Sequence, residues 1–132
     1  MRVFVDTSAL LPLLDAEDAD HAAVTSAWSD LKPAEAMLTT TNYVLLETSA
    51  VCQRRLGMPA ARMLHQDIAP LVDVQWVTRE VHDQAIAAMV AANRRELSLV
   101  DCVSFEVMRR LGIRRAFTLD EHFGEQGFEC VP

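Results

Sequence analysis

Short apolar runs and amphipathic stretches alternate along the whole chain. Arg2 to Val5 is an apolar run that stops at Asp6, and its length and β-branched content predict a strand. Helix-like patterning follows from Ser8 to Leu14 and again from about Ala19 to Leu31, so the chain opens with a βα unit. Ala36 to Thr40 predicts a second strand, after which Thr41 is placed to cap a long helix running through Val44, Glu47 and Val51 to a stop at Gly57. Pro59 suits the first turn of a further helix that ends near Pro70. Val72 to Val77 predicts a strand, and Thr78 caps a helix reaching Asn93. Ser98 begins the next helix, which runs to Leu111 and stops at Gly112. Arg114 to Leu119 then predicts a strand ending at Asp120, and Phe128 to Val131 a last edge strand. No repeat or Pro/Ser-rich linker interrupts this alternation. It predicts one domain over residues 1–132, a three-layer α/β/α sandwich with a mostly parallel central sheet.

Composition sharpens this picture in two places. The three cysteines, Cys52, Cys102 and Cys130, are far apart and odd in number, which argues against a disulfide framework or a structural zinc site and for a reducing, cytoplasmic setting. The longest run free of Asp, Glu, Lys and Arg is 11 residues, Ala36 to Leu46, too short for a membrane span. A net charge of −7 ordinarily speaks against nucleic-acid binding. However, 11 of the 12 basic residues are arginine, whose planar fork matches phosphate, and a bound cation would compensate some of the acids. The pairs Arg54/Arg55, Arg94/Arg95 and Arg109/Arg110 also suit helix carboxyl ends, where they complement the dipole.

Four carboxylates stand where a soluble fold rarely leaves them. Asp6 and Asp120 follow predicted strands, and parallel sheets place ligands at the carboxyl ends of their strands. Either alone would read as a helix N-cap. Glu47 shares a helix face with Val44 and Val51, a stripe expected to face the core, and no cation lies one turn before it. Ser98-x-x-Asp101 has the form of a capping box, yet Phe105 and Met108 four and seven residues on turn that face inward too. Ser104 can serve a ligand carboxylate or bond back to its own helix. A single divalent cation would account for all four acids, and an all-oxygen set favours Mg²⁺ or Mn²⁺ over zinc. The histidines show no zinc spacing; His122 alone is placed near the site, and is expected at the surface or in packing. Trp28 and Trp76 are expected as core anchors.

The segments V-F-V-D-T-S-A-L at the start, L-L-E-T-S-A mid-chain, L-S-L-V-D-C-V-S-F later and F-T-L-D-E-H-F near the end resemble, in this order, the PIN-domain ribonucleases of the VapC toxin type. The resemblance spans the whole chain. It implies that Asp6, Glu47, Asp101 and Asp120 form an acidic quartet that holds Mg²⁺ or Mn²⁺, with Thr7, Ser8, Ser104 and Thr118 as hydroxyls around it. Members also place an acid close before the third motif, where this chain offers Glu96; Glu121, beside Asp120, is an alternative fourth ligand. The resemblance further implies an endoribonuclease cutting structured transfer or ribosomal RNA, a small antitoxin partner whose tail covers the site, and a homodimer.

Rival readings keep the same fold class but lose residues. A phosphatase of the haloacid dehalogenase type needs a second Asp where Ser8 stands, and a receiver domain needs a late lysine, whereas the single lysine is Lys32. A degenerate PIN fold that only binds RNA or protein is the non-enzymatic alternative, and the intact quartet speaks against it.

Overall fold

The computed structural model describes residues 1–31 and 36–132; Lys32 lies outside them. The central sheet contains β1 (Arg2–Val5), β2 (Met37–Thr41), β3 (Asp73–Gln75), β4 (Arg115–Phe117) and β5 (Glu129–Val131), in the order β3-β2-β1-β4-β5. Every pairing is parallel. Helices α1 (Thr7–Leu14) and α2 (His21–Leu31) join β1 to β2, and α3 (Asn42–Arg55) and α4 (Met58–Met63) lead towards β3. The chain then crosses back through α5 (Arg79–Ala92) and α6 (Leu99–Leu111) to β4, and α7 (Glu121–Glu125) connects β4 to β5. Chain progress is leftward from β1 and rightward into β4, so right-handed crossovers put the two sets of helices on opposite faces. The reversal lies between β1 and β4.

Side-chain packing confirms the three layers. In the β1/β4 register Phe4 pairs with Ala116 and Val5 with Phe117, and paired residues point to the same face. The small Ala116 leaves room beside Phe4 for Phe123 of α7, whose ring lies 6.5 Å from Phe4 and 4.9 Å from Phe105 of α6 in an edge-on arrangement. On the other face Phe117 meets Trp28 of α2 at 5.7 Å. Val3, Phe4, Val5, Ala116 and Phe117 are all fully buried, as strands covered on both faces must be.

The predicted caps hold in detail. Thr41, Thr78 and Ser98 each accept a hydrogen bond from a backbone amide in the first turn of their helices, while Asn93 and Gly112 end theirs in the left-handed conformation. Three expectations need correction. The helix foreseen from Pro59 to Pro70 is α4 followed by a π turn over Leu64–Ile68 and a 3₁₀ turn over Ala69–Leu71. Arg94 and Arg95 lie beyond the end of α5, where Arg94 pairs with Glu96 and Glu125 instead of serving the dipole. Trp76 is 75 % exposed, because β3 ends at Gln75 and the pleat that would have turned the indole inward is over. Among the described residues no helix is long and apolar enough to cross a membrane.

Phe123 pins α7, and with it Asp120, to the sheet. Phe123→Ala should destabilise the fold by about 3–5 kcal/mol, read from chemical denaturation, since it empties a site at which the ring is 0 % exposed. A loss below about 1 kcal/mol would contradict this packing.

Candidate active site

At the reversal point, the carboxyl ends of β1 and β4 open into a cleft of about 290 Å³. Asp6, Glu47, Asp101 and Asp120 line it together with Thr7, Ser8, Leu11, Val51 and Arg55. Four chain segments thus bring all four predicted carboxylates to one place.

Asp6 is only 3 % exposed. Its amide bonds to Phe117 O at 3.0 Å, which ties the end of β1 to β4. Its Oδ2 accepts from Ser8 Oγ at 2.7 Å, Thr118 Oγ1 at 3.0 Å and, more weakly, Ser8 N at 3.3 Å. The two hydroxyls are held in turn by the chain after β4: Leu119 N donates to Ser8 Oγ at 2.9 Å and Asp120 N to Thr118 Oγ1 at 3.0 Å. Every donor found for Asp6 goes to one oxygen, and among the described residues none reaches the other.

The same division recurs at the other two aspartates. Asp101 completes the capping box of α6, with Oδ2 accepting from Ser98 N at 3.0 Å. Asp120 caps α7 through Oδ1, which accepts from His122 N at 2.9 Å. The capping interpretations are therefore correct, and they fix each carboxylate while leaving its second oxygen without a donor among the described residues. Ligand atoms of Asp101, Asp120 and His122 lie within 4.8 Å of one another.

Glu47 stands across the cleft on α3. The buried stripe of that helix is Val44, Thr48 and Cys52, so Glu47 and Val51 lie half-buried at the cleft wall and not in the core as expected. Thr48 is a strut that sequence reasoning missed. Fully buried, it bonds Val44 O at 2.7 Å and Thr7 Oγ1 at 3.0 Å, joining α3 to α1 beside Asp6. Its four-residue spacing from Val44 and Cys52 was the available signal. Arg55 was also missed as a cleft residue; it continues the line from Glu47 through Val51 at intervals of four.

Burial dominates the electrostatics. It pushes the Asp6 carboxyl from an ordinary 3.8 up to about 6, against the pull of the Ser8 and Thr118 hydrogen bonds and with a further upward push from Asp101. Burial likewise raises Glu47, partly offset by the Thr7 hydroxyl, and raises Asp101, partly offset by the Ser98 amide. Three acids that resist ionisation in one cleft, two of them with an oxygen to spare, suit a hard divalent cation.

Not every predicted residue joins the site. Ser104 is fully buried and donates to Val100 O at 2.9 Å, so it serves its own helix. Glu121 is exposed and absent from the cleft wall, and Glu96 is held by Arg94 at 2.9 Å. His122 lies beside the site as expected: its side chain is 14 % exposed and Nδ1 sits 2.7 Å from Asp120 Oδ1, badly angled for a hydrogen bond.

Residues 3–129 match the family model of the PIN domain. The chain is 37 % identical over 127 residues to the 23S rRNA-specific endonuclease VapC20 of Mycobacterium tuberculosis, covering 96 % of this chain and 95 % of that protein. The crystal structure of that VapC20, described as a sarcin–ricin loop cleaving toxin, superposes with a TM-score of 0.88 at 36 % identity, covering 98 % of this chain and 99 % of the other. FitAcB from Neisseria gonorrhoeae shares the fold at a TM-score of 0.70 and 14 % identity, covering 100 % and 97 %. With its four acids gathered at the β1/β4 reversal, the chain belongs to the PIN-domain family and is of its VapC type.

Proposed function

We propose that the protein is a metal-dependent endoribonuclease, the toxin of a toxin–antitoxin pair, and that it hydrolyses a phosphodiester bond in structured ribosomal RNA. One observation carries this reading: four carboxylates from four segments converge on a single cleft, and three of them keep an oxygen without a donor. The full-length similarity to a 23S rRNA-specific endonuclease supports ribosomal RNA as the substrate class. Action on ribosomal RNA implies a cytoplasmic protein. A small antitoxin and a second copy of the chain are the partners we propose with it, in keeping with the VapC type.

The oxygen donors suit Mg²⁺ or Mn²⁺. Asp6, Asp101 and Asp120 would hold the cation through their free oxygens, and Glu47 directly or through water. When bound, such an ion supplies Lewis acidity to the phosphoryl oxygen and eases deprotonation of the attacking water. Ser8 and Thr118 keep the Asp6 carboxylate aimed, and the two caps do the same for Asp101 and Asp120. These hydrogen bonds hold the carboxylates in fixed directions, which limits the reorganisation needed at the moment of reaction.

Discrete cleavage of 23S ribosomal RNA that requires Mg²⁺ or Mn²⁺ is the expected result. Asp101→Asn should lower its rate by about 10³-fold, the equivalent of several kcal/mol of transition-state stabilisation. Folded wild-type protein that binds RNA without cutting it under either metal would instead identify a binding module.

The raised Asp6 pKa gives a second expectation. Below pH 3.8 folded and unfolded chains both keep the proton; between 3.8 and about 6 only the unfolded chain releases it. The stability held by protonated Asp6 is therefore lost as pH rises through that window, about 3 kcal/mol in all. Asp6→Asn should raise the Tm of metal-free protein at pH 7.5 by roughly 5 °C or more, and should abolish most of the Tm increase that Mg²⁺ gives the wild type. An Asp6→Asn protein less stable than wild type without metal would refute this account.

Protons also compete with the cation below pH 6. Metal affinity measured by calorimetry should fall about tenfold per pH unit there. Affinity that is flat between pH 5 and 7 would remove Asp6 from the ligand set.

A further inference from the structure

The acidic cleft is a poor place to attract a polyanion, so the cations that guide RNA to it must be found elsewhere. Between Glu47 and Asp67 the chain carries three arginines, Arg54, Arg55 and Arg62, one histidine and no carboxylate. That stretch is the second half of α3, the turn at Gly57 with φ +84°, and α4. All three arginines are exposed. Among the described residues no carboxylate lies within ion-pair distance of any of them, whereas Arg2, Arg79, Arg94, Arg110 and Arg115 are each paired with an acid; Arg95, Arg109 and Arg114 also lack an acid partner, but they belong to other segments and none of them lines the cleft. The dipole of α3 gives Arg54 and Arg55 a structural use in its last turn. It does not account for Arg55 also lining the cleft, or for a second helix adding Arg62 on the same corner.

We propose that this α3–α4 corner binds the phosphate backbone of the RNA, with Arg55 at the mouth of the cleft and Arg54 and Arg62 further along the strand. The inference rests on the ribonuclease reading above and adds the surface that receives the substrate. Arginine forks bind phosphate oxygens in pairs and carry no sequence information. The corner therefore supplies affinity and register while the cleft supplies chemistry. In a chain of net charge −7, three exposed arginines on a segment without carboxylates also steer the polyanion to the approach that ends at the cleft.

The test is steady-state cleavage of a sarcin–ricin-loop RNA hairpin by the Mg²⁺-loaded protein across a salt series, with Arg54→Gln, Arg55→Gln, Arg62→Gln, the triple Gln variant and the triple Lys variant. Each single change should raise KM roughly 3- to 10-fold with a much smaller effect on kcat. The triple Gln variant should reduce the slope of log(kcat/KM) against log[salt] by about two, and the triple Lys variant should restore most of it. The thermal shift given by Mg²⁺ should match wild type in every variant, which separates lost RNA contacts from a damaged metal site. Cleavage by the triple Gln variant with wild-type KM and salt slope overturns the proposal and leaves the ribonuclease reading standing. The proposal is equally overturned if that variant loses only its affinity for an antitoxin, which would make the corner a protein-binding surface. A hairpin and ribosomal RNA that the metal-loaded wild type leaves uncut overturn both.

Discussion

The burial of the Asp6 carboxylate at the end of the central strand governs the rest of this structure. A strand covered on both faces must end somewhere, and here it ends on an ionisable group with 3 % exposure. Hydrogen bonds from Ser8 and Thr118 meet the needs of one oxygen, and the same two hydroxyls are gripped by the backbone that follows β4. Asp6 thereby fixes the seam between β1 and β4, from which Asp120 departs and over which Asp101 is set by α6. The second oxygen gains nothing from this network. Its desolvation is a standing cost to the fold, of the kind that a bound cation would offset.

Ordinary helix-capping chemistry supplies the remaining precision. Asp101 and Asp120 are both caps and candidate ligands, and the two roles do not compete, since a carboxylate has two oxygens and each cap uses one. The arrangement lets short helices aim functional groups without a dedicated supporting shell. Glu47 is positioned differently, by the buried Val44, Thr48 and Cys52 stripe and by the Thr48–Thr7 contact that locks α3 against α1. The charge distribution follows the same economy. Four carboxylates line the cleft, and the stretch from Thr48 to Gln66 that forms the rest of α3 and α4 carries none.

Most of the fold was legible from local pattern. Strand and helix periodicities, and the caps Thr41, Thr78, Ser98 and Gly112, depend on neighbours within a few residues, and they match the observed elements. Expectations failed where the deciding neighbour was distant in sequence. Trp76 looks like a strand residue, but pairing with β2 ends at Gln75. Arg94 looks like a dipole partner, but a glutamate 31 residues away draws it into an ion pair.

The sequence by itself determined the order of elements, the parallel α/β class and the identity of the four acids. Each is encoded in spacing along the chain: apolar runs bounded by turn residues, and carboxylates at positions where isolated burial is unfavourable. Tertiary structure alone decided that β1 and β4 are neighbours, that His122 stands against Asp120, that Glu121 faces solvent, and that Arg55 joins the cleft wall. The β1–β4 pairing joins segments more than a hundred residues apart, and the other outcomes depend on how each helix is turned against the sheet and on which carboxylate oxygen a neighbouring amide or hydroxyl has already taken. Spacing along one segment carries no information about any of these.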